Sequence, residues 1–238
     1  MLIGTDFDKI EFELFGLNLL EPNSFIGDFI IFVFSIYFGF KVLKFQRSNF
    51  VKNWNLFFFI FGIGFFFGGL GHLMYNYWGI PGKYIGWFAG MTSVYLIERA
   101  ILPFLSNKKT VNILLQISTF KFILAILAEI LVIYFIDLEK DYSVAMKVPI
   151  INSSIGLIYT LAILGYVFSK RITPGFKYFL YSVLVMLPTL IFQTQKINFT
   201  QWFDKNDISH VFLLIGVIFY YLGVKNVAKY EKELADNR

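Results

Sequence analysis

Apolar positions in this chain come in long uninterrupted runs, and polar positions gather in the short gaps between them. The gaps are built from turn chemistry: Gly79-Ile80-Pro81-Gly82, Ser106-Asn107-Lys108-Lys109 and Thr173-Pro174-Gly175. A helix rises about 1.5 Å per residue, so a run of about 20 residues crosses roughly 30 Å of hydrocarbon. The pattern predicts seven such helices, at 24–44, 53–77, 83–105, 113–136, 147–168, 175–194 and 208–225. Gln116, Ser118 and Lys121 blur the start of the fourth run, where Lys121 is expected to snorkel to the inner interface. Pro103 and Pro188 are the helix-interrupting prolines, both near helix ends, and no internal repeat is evident.

Composition agrees. Of 238 residues, 57% are hydrophobic and 16% charged, against about 25% charged in an ordinary soluble domain. The runs use nearly the whole chain, which leaves one domain over 1–238: an all-α, polytopic seven-transmembrane-helix bundle. Residues 1–22 read as an outer amphipathic segment, since Asp6, Asp8, Glu11 and Glu13 stand where a signal peptide would be basic. Residues 226–238 read as a cytoplasmic tail. The chain has no cysteine, so disulfide and thiolate chemistry are excluded.

The net charge of +5 is not a nucleic-acid footprint, because the basic residues sit at the ends of the runs. One side carries Lys41, Lys44, Arg47, Lys52, Lys108, Lys109, Lys170, Arg171, Lys177, Lys225, Lys229, Lys232 and Arg238. The other carries only Lys9, Lys83, Lys140, Lys147, Lys196 and Lys205. Positive charge marks the cytoplasmic face, so the expected topology is N-out/C-in in the plasma (inner) membrane, with membrane lipids as partners.

Ionisable groups inside a bilayer are costly and therefore candidates for function. Four converge at one depth on the outer side: Asp28 on the first helix, His72 on the second, and Asp207 and His210 on the seventh. Tyr75, Asn152, Ser153, Ser154 and Gln193 are expected at the same level. Two imidazoles plus Asp28 or Asp207 as third ligand make a zinc-type set with an open water position; a hydrogen-bonded polar cluster without metal is the plainer alternative. Elsewhere, Glu98 and Arg99 lie in the inner part of the third helix, about 100° apart. Arg99 is expected to reach the cytoplasmic face while Glu98 faces a neighbouring helix. Glu129 sits in the outer half of the fourth. Phe57-Phe58-Phe59 and Phe65-Phe66-Phe67 read as packing or lipid-facing bulk.

Gly68-Gly69-Leu70-Gly71-His72 and Asn206-Asp207-Ile208-Ser209-His210 resemble the helix 2 and helix 7 marks of the seven-helix membrane hydrolases that contain alkaline ceramidases and adiponectin-receptor-like proteins. Glu21-Pro22-Asn23-Ser24 is similar to the acidic-plus-Asn segment that leads into that family's first helix. The resemblance implies a zinc-dependent hydrolase cleaving a lipid amide or ester, with His72 and His210 as ligands. The family's helix 2 serine falls on Gly68, its first helix 7 histidine on Asn206, and its aspartate has no counterpart near Lys83. Asp28 replaces the missing ligand by depth, with metal-bound water as nucleophile and Asp207 or Tyr75 handling protons or charge. The alternatives are a non-enzymatic lipid-binding or sensing protein of the same architecture, and a small-solute transporter. A retinal protein is disfavoured, because the seventh helix has no lysine before Lys225.

Overall fold

The structure, a computed structural model, describes residues 1–45, 48–140 and 142–237. Arg47 and Arg238, counted above on the inner side, lie outside the described residues. The long helices are α1 (Pro22–Val42), α2 (Asn49–Leu73), α3 (Tyr84–Ile101), α4 (Lys108–Phe135), α5 (Tyr142–Arg171), α6 (Lys177–Thr194) and α7 (Lys205–Asp236). Six of them are long and apolar enough to cross a membrane, so the protein is a multi-pass helical membrane protein. The exception is α3, where Thr92, Ser93, Glu98 and Arg99 dilute the apolar run.

Capping chemistry, rather than hydropathy, sets the helix ends. Ser48 Oγ accepts from the Val51 amide at 3.1 Å and starts α2 ahead of the apolar run. Asn107 Oδ1 accepts from the amides of Lys109 and Thr110 at 2.9 and 3.1 Å, starting α4 on its basic residues. Asp204 and Asp207 form a capping box that opens α7, satisfying amides that a helix start otherwise leaves bare. At its far end α7 runs through the expected tail to Asp236. Helix α5 starts early enough to contain Pro149, and its segment Ile158–Leu164 is π-helical. There Thr160 Oγ1 donates to the Gly156 carbonyl at 2.6 Å.

Helices α1, α2, α3, α5, α6 and α7 pack in a ring, each on the next and α7 back on α1, with α4 outside against α3 and α5. The ring is filled by aromatics: Trp54, Phe57, Phe58, Phe176 and Phe179 are fully buried, and Trp54 stacks on Phe179 with centroids 4.9 Å apart. Phe57 and Phe58 are therefore packing residues.

The N-terminal segment, read from sequence as amphipathic, contains an antiparallel β-hairpin. Strands β2 (Glu11–Leu14) and β3 (Leu17–Leu20) pair across Phe15-Gly16, both at positive φ, the geometry a tight two-residue hairpin demands. Strand β1 (Leu2–Ile3) pairs with β4 (Ile197–Asn198) in the α6–α7 connection. The hairpin thus closes over the end of the bundle where α1 begins and α2 ends: the Asn18 amide donates to the Tyr77 hydroxyl at 2.9 Å.

Candidate functional site

Under that hairpin lie two separate sets of ionic contacts, Lys9–Glu21–His72 and Asp28–His210, shared among α1, α2 and α7. Glu21 caps α1 with left-handed backbone (φ 48°, ψ 54°), a conformation costing a non-glycine residue about 1–3 kcal/mol. The turn aims its carboxylate inward. Glu21 Oε2 lies 2.8 Å from His72 Nδ1 and 2.9 Å from Lys9 Nζ. Burial by itself raises the Glu21 carboxyl, but the hydrogen bond and charge of His72, followed by those of Lys9, outweigh it and hold the group at about 2. Lys83, just ahead of α3, is pushed down to about 8 by burial, against the upward pull of Glu21 and Asp28. The Tyr75 ring lies 5.0 Å from Lys9 Nζ and 5.6 Å from Lys83 Nζ. It therefore serves as a cation-bearing face.

About two turns further along α1, His210 Nε2 lies 3.0 Å from Asp28 Oδ1. The bond needs close helix approach at two glycines. A side chain on Gly27 would overlap the His210 ring, and one on Gly69 would come within 3.0 Å of Asp28 Cβ. His210 Nδ1 is buried against Gly27 with no hydrogen-bond partner among the described residues. Asp207 belongs to the rim: its Oδ2 accepts from Asn23 Nδ2 at 2.8 Å and from the Asp204 amide at 2.9 Å.

Asp28, His72, Asp207 and His210 are thus brought to one end of the bundle, as sequence reasoning expected, but not to one point. Each imidazole is committed to a different carboxylate, His72 to Glu21 and His210 to Asp28. Among the described residues no three His, Asp or Glu side chains gather as a metal requires. The arrangement is of two separate imidazole–carboxylate pairs. Glu21 was missing from the sequence-derived set because it precedes the first apolar run. The signal for it was Glu21-Pro22-Asn23, an acidic cap before a proline-started helix.

Of the other polar residues expected at this level, Gln193 is there and Asn152 lies elsewhere. Gln193 Nε2 donates to Asn206 Oδ1 at 3.1 Å and to Ser209 Oγ at 3.0 Å, which turns Asn206 towards α6. Asn152 joins a second cluster inside the bundle, where Lys121 Nζ lies 2.8 Å from Glu98 Oε1 and 3.0 Å from Asn152 Oδ1, and Ser118 donates to Glu98. Lys121 therefore does not snorkel: a buried carboxylate on α3 holds it in place. Glu129 is fully buried, and neither carboxyl oxygen has a hydrogen-bond partner among the described residues.

Beside the Asp28–His210 pair, a groove of about 300 Å³ runs between α1 and α7. Its walls are Ile26, Ile30, Ile31, Val211 and Leu214, its mouth is Trp202 and Phe203, and its polar end is Asn23, Asp207 and His210. Ile26, Ile30, Val211 and Trp202 are exposed on the outer surface of the bundle.

Helices of this length and apolarity, with ionic contacts beside a hairpin at one end, define a multi-pass membrane protein with a polar-ended surface groove. The chain belongs to a family of unknown function (DUF6962), whose profile matches residues 24–229. No curated protein and no solved structure matches it.

Proposed function

We propose that this is a seven-span membrane protein, N-out and C-in in the plasma (inner) membrane, that binds a bilayer lipid in the α1–α7 groove. The observation that carries the reading is the polarity of the groove: apolar walls open on a membrane-facing surface, ending in Asn23, Asp207 and His210. An amphiphile has the same pattern, an apolar chain ending in a hydrogen-bonding head. The volume of about 300 Å³ takes a headgroup and the first part of a chain, and the open side leaves the rest in the bilayer. The polar end of the groove, at Asn23, Asp207 and His210, gives the head its hydrogen-bonding partners. The orientation is supported by the distribution of Lys and Arg. The seventh span is supported by α3 packing between α2 and α5 in the ring.

A second reading, hydrolysis of an amide or ester of that lipid, is favoured by the Asp28–His210 hydrogen bond, since a carboxylate that orients an imidazole prepares it as a general base. Lipid carried through purification and identified by mass spectrometry tests both. Unmutated protein is expected to retain intact lipid that Leu214→Trp, which fills the groove, retains at least several-fold less. Equal retention by the two proteins contradicts binding in this groove; cleaved lipid, lost in His210→Phe, establishes the second reading.

A further inference from the structure

A second surface groove lies at the opposite end of the bundle, between the last turn of α3 and the first turns of α4. It has a volume of about 510 Å³ and is lined by Arg99 from α3 and by Asn112, Gln116, Thr119, Phe120 and Ile123 from α4, among others. The α4 residues are spaced by three and four, so one helix face supplies them all.

Arg99 is exposed, and among the described residues no carboxylate pairs with it. Its guanidinium lies 5.9 Å from the Tyr95 ring centroid. Tyr95 is held in turn by its hydroxyl against Thr119 at 3.2 Å and by stacking on Phe122 at 4.7 Å. The cation therefore lies beside a ring that is itself held in place. Asn112 and Gln116 are exposed beside it with no side-chain hydrogen bond among the described residues. Lys108 and Lys109 stand exposed at the start of α4, the level of lipid headgroups. From Asn112 to Ile123 the face turns from amide to apolar side chains over about 16 Å at 1.5 Å per residue; Phe120 and Ile123 are more than half exposed or at half.

We infer that this groove binds a phospholipid with an anionic headgroup. Arg99 takes the phosphate, Asn112 and Gln116 take the glycerol and headgroup oxygens, and an acyl chain lies over Phe120 and Ile123. An unpaired planar guanidinium matches a phosphate bidentately; selection for an anionic lipid comes from net charge, since choline neutralises the phosphate of phosphatidylcholine and glycerol leaves that of phosphatidylglycerol uncompensated. The site is independent of the α1–α7 groove, which offers carboxylate, amide and imidazole groups.

The test is native mass spectrometry of the full chain in detergent with an equimolar mixture of phosphatidylglycerol and phosphatidylcholine. Unmutated protein is expected to retain phosphatidylglycerol preferentially, and Arg99→Gln to retain about fivefold less of it, with phosphatidylcholine unchanged. Lys170→Gln removes an exposed cation that also stands over a tyrosine ring, 5.9 Å from Tyr166, and is expected to change neither. Gln116→Leu, which leaves the cation in place, is expected to lower phosphatidylglycerol retention as well, and serves if Arg99→Gln does not fold. Undiminished phosphatidylglycerol on the altered groove, or an equal loss from Lys170→Gln, overturns the proposal. So does displacement of the lipid by inorganic phosphate alone.

Discussion

Glu21 shows how one residue can anchor a site that hydropathy does not reveal. It is 8% exposed, caps α1 in a left-handed conformation, and holds both His72 and Lys9. Its carboxyl sits at about 2 in the folded protein against an ordinary value of 4.5. A depressed acid stabilises the fold fully above its unfolded value and loses that contribution as pH falls through the folded one. The contribution is roughly 3 kcal/mol at neutral pH by linkage. Thermal unfolding of unmutated protein is therefore expected to lose stability steadily between pH 4.5 and about 2, and Glu21→Gln, already less stable at pH 7, to lack this step. The same pH profile in both proteins would contradict the role given to Glu21. Asp28, His72 and His210 were legible in the sequence because ionisable groups are rare inside apolar runs. Their partners were less so: Asp28–His210 follows from shared depth, whereas His72–Glu21 depends on a cap lying outside any run.

At the scale of helices, the sequence pattern located the apolar spans but not where the helices end. Hydropathy reports where lipid is met, and a helix continues wherever caps and propensity allow, so α2 begins at Ser48's cap and α7 runs on to Asp236. Pairing between helices was also hidden. Glu98 and Lys121 each read as a group needing its own solution; the ring order, with α4 outside α3 and α5, makes them a buried pair with Asn152. Gly156 leaves the necessary room, since a side chain there would come within 2.7 Å of Glu98 Oε1. Removing one partner of a buried pair strands the other, at a cost of about 3–5 kcal/mol, while removing both costs far less. Glu98→Gln and Lys121→Met are each expected to lower the unfolding midpoint in detergent strongly, and the double variant to recover much of the loss. Additive losses would mean that the two groups do not interact.

For the molecule as a whole, the alternation of apolar runs and basic loops expresses the topology, and the absence of cysteine makes it easy to check. A single cysteine at Phe15, 95% exposed at the hairpin tip, is expected to react in intact cells with a membrane-impermeant maleimide, whereas Leu234→Cys at the far end of α7 reacts only after permeabilisation. The opposite pattern would reverse the orientation, and labelling of both from one side would make the number of crossings even. What the sequence could not show is the groove, because it forms where the first and last helices meet and Gly27 admits His210. The lipid in that groove is the central claim, and photolabelling tests it most directly. A phospholipid carrying a diazirine near the head of one acyl chain, incorporated with the protein into vesicles and mapped by peptide sequencing, is expected to label Ile26–Ile31 and Val211–Leu214 above every other exposed apolar segment, with the signal lost in Leu214→Trp. Even labelling of all exposed helices, unchanged by that substitution, would contradict it.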